Sequence, residues 1–301
     1  MGSLEGRVVV VTGAGRGIGR EHALLFAAEG AKVVVNDLGG AIDGSGGDRT
    51  PAEEVVVEIR DRGGDAVANH DDVATWAGAE ALIRTAVDHF SDLHVLVNNA
   101  GILRDRTLVN MSEAEFDDVI RVHLKGHFGP LRHAAEYWRE QAKSGATADR
   151  SVINTSSTSG LFGQPGQTNY GAAKSGIAMM TMITAGELAR YGVRVNAIAP
   201  AALTRLTAGL PGVPDPGRGD AVGAMDPANV SPFVAYLGTA DCPITGRVFF
   251  VMGGSVQLFQ PWSIIDRIDT ADGRRWTVAD LQTKAAHFAE VPFELNHPMR
   301  G

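Results

Sequence analysis

Short apolar, β-branched runs recur along this chain, separated by longer stretches of mixed polarity. Val8–Val11 is the first, and Lys32–Asn36, Ala66–Asn69, Val95–Asn98, Val152–Thr155, Val193–Ile198 and Val248–Val251 follow. Each is short and almost wholly apolar, the pattern of strands buried on both faces of a parallel sheet. Between them lie stretches of helical period. Ile18, Leu24, Leu25 and Ala28 mark one, and Val55 and Ile59 mark another that ends at Gly63-Gly64. Regular alternation of strand and helix predicts right-handed βαβ units, hence an α/β fold: a single doubly wound domain with a seven-stranded parallel sheet.

Two segments break the rhythm. Gly39–Pro51 contains five glycines and little that packs, so it is expected to be a flexible loop after the second strand. From Gly253 onward the chain is expected to be a tail beyond the last strand. The division expected is residues 1–255 as a nucleotide-binding domain and 256–301 as an extension. In the extension Thr277-Val-Ala-Asp280 resembles a capping box. Val278, Leu281, Ala285 and Phe288 then follow as on one helix face. Trp262, Trp276 and Phe293 add apolar bulk, so the extension is expected to pack on the same domain or on a neighbouring subunit.

Charge narrows the partners. Lys plus Arg is 27 against 35 for Asp plus Glu, a net charge of −8, which is the wrong sign for a phosphate-backbone binder. Nucleic acid is not an expected partner. The single cysteine, Cys242, excludes an internal disulfide and suits a reducing cytoplasm. The first residues lack a basic n-region and a long apolar core, and no run of about 18 apolar residues spans a membrane. The expected setting is cytoplasmic, without a membrane partner.

The first strand runs straight into Thr12-Gly-Ala-Gly-Arg-Gly-Ile-Gly19. Gly13, Gly17 and Gly19 fit G-x-x-x-G-x-G at a strand-to-helix turn. Glycines there let the backbone approach a pyrophosphate, and the helix N-terminus offers free N–H groups and partial positive charge. The second strand ends in Asp37, 18 residues after Gly19, where a carboxylate accepts from ribose hydroxyls and repels a 2′-phosphate. NAD is therefore the expected cofactor in a Rossmann-type fold. Arg16, inside the glycine turn, is the residue that would favour NADP.

The TGxxxGxG turn, Asn98-Asn-Ala-Gly101, Ser157 and Tyr170-x-x-x-Lys174, in that order and with serine 13 residues before tyrosine, resemble the short-chain dehydrogenase/reductase family. The resemblance runs from Leu4 to about Gly254. Val33–Gly40, Gly101–Arg106, Arg121–Gly126 and Asn296-His-Pro298 are more specifically similar to the dehydrogenase unit of peroxisomal multifunctional enzyme type 2 and its bacterial relatives. That likeness implies NAD-linked oxidation of a 3-hydroxyacyl-CoA or a 17β-hydroxysteroid in lipid or sterol degradation. It also implies a homodimer or homotetramer, formed through the helices that carry His123 and Tyr170.

The same residues carry the chemistry on their own terms. Tyr170 and Lys174 are i and i+4, so they share a helix face. An ammonium beside a phenol favours phenolate, so Tyr170 is expected to act as base near neutral pH. Ser157 is expected to hydrogen-bond the same substrate oxygen. The resemblance implies that Lys174 also reaches the nicotinamide ribose and that Asp72 and Val73 meet adenine. It further implies that Asn98–Gly101 stabilises the sheet and lines the adenine-ribose side, with Asn98, Ala100 and Gly101 in the cofactor set, and that Pro200, Leu203 and Thr204 face the carboxamide. With Arg16, Gly17, Ile18, Gly19 and Asp37 these complete the expected cofactor set.

Two positions depart from the family's usual pattern. His123 stands where many members have asparagine, and Pro200-Ala201 replaces Pro-Gly. His123 and His127 are i, i+4, but no third ligand is evident and no metal is expected. Arg104, Arg106, Arg205 and Arg267 are candidates for CoA phosphates or for solvated surface. Two competing readings are an NADPH-dependent 3-oxoacyl ketoreductase and an NAD-sensing protein without turnover. The first is opposed by Asp37 and the second by the intact tyrosine and lysine.

Overall fold

All seven predicted strands form, each within two residues of its expected limits: β1 (Val8–Thr12), β2 (Lys32–Asn36), β3 (Asp65–Asn69), β4 (Val95–Asn98), β5 (Arg150–Thr155), β6 (Val193–Pro200) and β7 (Val248–Met252). The structure is a computed structural model and describes residues 2–146, 148–205, 207–208, 223–270 and 273–291. Phe293 and Asn296–Pro298 lie outside them. The helices are α1 (Gly17–Ala28), α2 (Thr50–Asp61), α3 (Trp76–Phe90), α4 (Glu113–Ile120), α5 (Gly126–Lys143), α6 (Thr158–Phe162), α7 (Thr168–Leu188), α8 (Ser231–Leu237) and α9 (Val278–Lys284).

The sheet has eight strands, not seven, and is not wholly parallel. Its order is β3-β2-β1-β4-β5-β6-β7-β8, where β8 is Ser255–Leu258. β8 turns back through Gly253-Gly254 and pairs antiparallel with β7, Met252 opposite Ser255. Gly253 takes φ +54°, as such a two-residue turn requires. This strand escapes the apolar-run signature because it lies at the sheet edge with most of its side chains exposed. The compact unit accordingly ends at Leu258, beyond the expected boundary at 255.

Burial on both faces explains the apolar runs. Side chains alternate across a strand, so Val9 and Val11 of β1 join one core while Val8 and Val10 join the other. The first core is closed by Phe26 of α1, Val55 and Ile59 of α2, and Val234 and Leu237 of α8. The second is closed by Leu82 of α3, Leu131 and Trp138 of α5, and Leu188 of α7. Chain order reverses at β1, which pairs with β2 on one side and β4 on the other. A crevice opens beyond the carboxyl ends of strands at such a point. At the opposite ends Arg150 pairs with Asp92 at 2.8 Å, and Arg7 and Arg194 share Asp149.

Gly39–Pro51 is more constrained than its composition suggests. Asp48 N–H donates to Leu38 O, Leu103 N–H donates to Ile42 O at 3.1 Å, and Gly44 stands against Ile102. Residues 259–301 cluster separately. Within that unit Thr277 and Asp280 form the expected capping box and Arg274 pairs with Asp280 at 2.9 Å. α9 ends at Lys284, so Ala285 and Phe288 fall outside the α-helix. Among the described residues no helix is long and apolar enough to cross a membrane.

Trp138 is 1% exposed and donates its indole N–H to Leu93 O at 2.8 Å. Trp138→Ala removes both the ring and the bond. It should cost about 3–5 kcal/mol in a urea unfolding curve, with an unchanged far-UV CD spectrum in the absence of denaturant.

Candidate active site

β1 delivers the glycine turn to the crevice, and β4 holds it there. Thr12 Oγ1 accepts from the Asn99 and Ala100 N–H groups at 2.9 and 3.1 Å. Asn99 Nδ2 in return donates to the carbonyls of Thr12 and Gly13 at 3.0 and 3.1 Å. At Gly19 a Cβ would lie 2.2 Å from Gly13 O and 2.5 Å from Asn99 Nδ2, so only glycine lets α1 start this close to the turn. No side chain caps the first N–H groups of α1. They remain as donors, with the positive end of the helix dipole, at the mouth of the crevice.

Asp37 fixes the other side of this turn. Its Oδ2 accepts from Gly15 N–H at 2.8 Å and its Oδ1 from Gly39 N–H at 2.6 Å. Each carboxylate oxygen keeps a further lone pair for a ligand. The cleft is lined by Gly13, Arg16, Gly17, Ile18, Gly19, Asp37, Asp72, Val73, Ala100, Gly101 and Thr204, all predicted. It is lined as well by Asn36, Leu38, Ile42, Asn99, Ile102 and Arg121, which were not. Asn99 had a signal, since it stands between two chosen residues. Ile42 and Arg121 had none, because the loop fold brings one and an ion pair the other. Arg121 reaches Asp72 Oδ2 at 3.0 Å.

Asn98, Pro200 and Leu203 do not line the cleft. Asn98 is fully buried and donates to Asn154 Oδ1 at 3.0 Å and to His127 O, which ties β4 to β5 and α5. The Pro200-Ala201 departure leaves the ladder intact, because Ala201 N–H donates to Val251 O at 3.0 Å. Arg104 and Arg106 are committed to Asp118 and Glu115, and Arg267 to Asp269, whereas Arg205 lines the cleft.

Ser157, Tyr170 and Lys174 converge as their spacing implies. Ser157 caps α6, accepting from Ser159 N–H at 3.1 Å, and stands near enough to the Tyr170 phenol to favour its phenolate. Lys174 Nζ lies 5.5 Å from the centre of the Tyr170 ring and donates to Thr155 O at 2.6 Å. Burial dominates both groups. It pushes the Tyr170 phenol up to about 12, against the nearby Ser157 hydroxyl and helped by the Asp105 charge. It brings Lys174 down to about 7. Burial therefore outweighs the lowering of Tyr170 expected from its lysine. A dry site disfavours phenolate and ammonium alike.

A π-helical turn, Arg121–Lys125, interrupts the run from α4 to α5 and carries His123 into the site. The ring stands edge-on to Tyr170, with centroids 5.0 Å apart and planes at 89°. His123 Nε2 is held between the Ile102 N–H, which donates to it at 3.1 Å, and Ile102 O at 2.7 Å. A Cβ at Gly101 would meet His123 Cε1 at 2.4 Å, so glycine at 101 is the space this histidine occupies. Burial and the nearby Lys174 hold His123 well below its ordinary 6.5, hence neutral.

The sequence matches the short chain dehydrogenase family profile over residues 7–210, the span that holds the glycine turn and the Ser-Tyr-Lys set. The chain belongs to the short-chain dehydrogenase family. It is 42% identical over 281 residues to the hydroxyacyl-CoA dehydrogenase ChsB1 of Mycobacterium tuberculosis, covering 92% of this chain and 87% of that one. It is 46% identical over 242 residues to the peroxisomal multifunctional enzyme type 2 of Drosophila melanogaster, covering 80% of this chain but 38% of that enzyme. A crystal structure of a short chain dehydrogenase from Mycobacterium avium superposes with a TM-score of 0.84 at 52% identity, covering 96% of both chains.

In this short-chain dehydrogenase the titration of Lys174 reads out directly in stability. Its folded value near 7 lies below the ordinary 10.5. Between those two values the unfolded chain binds more protons than the folded one, so stability from this group rises with pH across that window. Lys174→Met should therefore melt above the parent at pH 7, and the gap should close toward pH 10.5, as measured by thermal unfolding.

Proposed function

We propose that this chain is an NAD-dependent dehydrogenase that oxidises the secondary alcohol of a 3-hydroxyacyl thioester or a hydroxysteroid. The observation that carries the reading is the Ser157–Tyr170–Lys174 set lying beside a glycine-cradled cleft that ends in Asp37. The cradle left by Gly13 and Gly19, the free N–H groups of α1 and the Asp37 carboxylate suit a dinucleotide. Bound NAD would supply the hydride acceptor.

Tyr170 then takes the proton of the substrate hydroxyl through its phenol oxygen, and Ser157 holds the same substrate oxygen. Lys174 stabilises the phenolate that this requires, since an ammonium beside a dry phenol offsets part of the cost of ionisation. His123 keeps the Tyr170 ring from turning away and adds no charge. Asp37 accepts from the adenosine ribose hydroxyls and would be repelled by a 2′-phosphate. The substrate class is carried over from the hydroxyacyl-CoA dehydrogenase relative. The exposed Phe116, Phe128, Met179 and Ile183 on α4, α5 and α7 support a homodimer or homotetramer through these helices.

One observation favours the NADPH-dependent ketoreductase as a second reading: Arg16 is exposed and lines the cleft. Steady-state kinetics with both cofactors separates the two. NAD should be preferred at least tenfold, about 1.4 kcal/mol, and Asp37→Ala should narrow the gap. Equal use by the parent protein would transfer the choice to Arg16. A screen of hydroxyacyl-CoA chains of several lengths beside 17β-hydroxysteroids identifies the substrate.

Tyr170→Phe keeps the ring that packs on His123 and removes the hydroxyl. Turnover should fall at least about a hundredfold, while NADH binding by fluorescence titration stays near the parent value. A variant that keeps most of its activity would overturn this proton path.

A further inference from the structure

The segment that follows β4 touches a different wall of the site at each step. Residues 101–106 leave the cofactor cleft and end beside the first turn of α7. Gly101 makes room for the His123 ring, Ile102 holds His123 Nε2 between its N–H and its carbonyl, and Leu103 N–H donates to Ile42 O. Further on, Asp105 accepts from Gln167 Nε2 at 2.7 Å and Arg106 N–H donates to Gly166 O at 2.9 Å. The step between these two groups, Arg104, is tied by a residue that the chemistry above does not use.

That residue is Asn169, fully buried and next to Tyr170 in the chain. Its Nδ2 donates to Arg104 O and to Glu115 O of α4, both at 3.0 Å. Its Oδ1 accepts from Tyr170 N–H at 2.7 Å. The first intrahelical bond of α7 runs from Gly171 N–H to Gln167 O, so the Tyr170 N–H lies ahead of the helical ladder and needs another acceptor. Gln167, at the N-cap, makes no side-chain cap, and its amide is turned to Asp105. Both donors and the acceptor of the Asn169 amide are thus in use. One planar group joins the Tyr170 backbone to the 101–106 segment and to α4.

The Tyr170 ring is referenced to the same segment by another route. It stands edge-on to His123, and Ile102 holds that imidazole. Backbone and ring are therefore fixed to points two residues apart, at 104 and 102. We propose that Asn169 is a positioning residue for Tyr170, the backbone half of a two-point mount whose other half is His123. A helix end alone would need only an acceptor, which a serine supplies. The two donations that leave the helix are what a mount requires. They matter because a displacement of about 1 Å at a reacting group can cost about a hundredfold in rate. The inference rests on the reading of Tyr170 as the group that takes the substrate proton.

Asn169→Ala removes all three bonds. Its kinetics are read well below the melting temperature, with NAD and the substrate that the screen of hydroxyacyl-CoA chains and 17β-hydroxysteroids identifies. Turnover should fall at least about tenfold while KM moves by less than about threefold. NADH affinity, by fluorescence titration, should stay within about twofold of the parent, because Asn169 does not line the cofactor cleft. A variant with a lower melting temperature and parent turnover would show a packing residue and overturn the proposal. Asn169→Ser keeps a neutral acceptor at the helix start and is too short to reach both carbonyls. It should lose turnover as the alanine variant does, and parent turnover in it would reduce Asn169 to a helix cap. Should neither variant fold, hydrogen exchange in the unmodified protein decides. The Asn169 side-chain amide and the Tyr170 N–H should be protected together, and free exchange of either would overturn the mount. Activity surviving in Tyr170→Phe would defeat the underlying reading instead, whereas an inactive Tyr170→Phe beside a fully active Asn169→Ala defeats only this inference.

Discussion

The exchange of hydrogen bonds between Thr12 and Asn99 is the constraint on which the site depends. A parallel sheet buried on both faces leaves its strand ends as the places where polar backbone can meet a ligand. β1 and β4 are neighbours at the point where chain order reverses, and each ends in a turn that has no partner within its own strand. Thr12 accepts two N–H groups from the β4 turn, and Asn99 donates to two carbonyls of the glycine turn. The two halves of the sheet are thereby joined at the mouth of the cleft. The close start of α1, the position of Gly101 and the placement of His123 all follow from that junction.

Beyond it, burial governs the chemistry. Lys174, His123 and His127 are buried and Tyr170 is half-buried beside them, so their ionised forms are penalised. Burial thereby favours the protonated phenol and the neutral imidazoles and brings the lysine down to about 7. A site of this kind is set to respond to the charge of what enters it. The acidic surface elsewhere and the Arg–Asp pairs at the far strand ends lie away from that balance.

The fold was legible in the sequence wherever strands were buried on both faces, because such strands must be continuous apolar runs. β8 was not, since an edge strand with exposed side chains has no such run to show. The Ser157–Tyr170–Lys174 set was legible because its order and spacing resemble the family's pattern, and one helix with one strand end then brings the three together. Asn98 and Asn99 divide the two roles implied for their segment, Asn98 tying the strands from within the core and Asn99 lining the cleft, because alternation along a strand turns adjacent side chains to opposite sides. The Gly39–Pro51 loop read as loose because its hydrogen bonds are to a distant segment, at Leu103, that local composition does not reveal. The ordinary argument that lysine lowers a neighbouring tyrosine needed the degree of burial, which spacing does not carry.

Asp37 has a double commitment. One oxygen holds the glycine turn through Gly15, and the other holds the start of the Gly39 loop. The carboxylate that would choose between two coenzymes is also a strut of the chamber that receives them. Anyone redesigning this enzyme for the phosphorylated coenzyme would be removing a structural tie together with a discriminating charge. A replacement that brings only a cation leaves two backbone amides seeking acceptors. Selectivity and architecture share one side chain here, and an engineered switch has to rebuild the second in order to change the first.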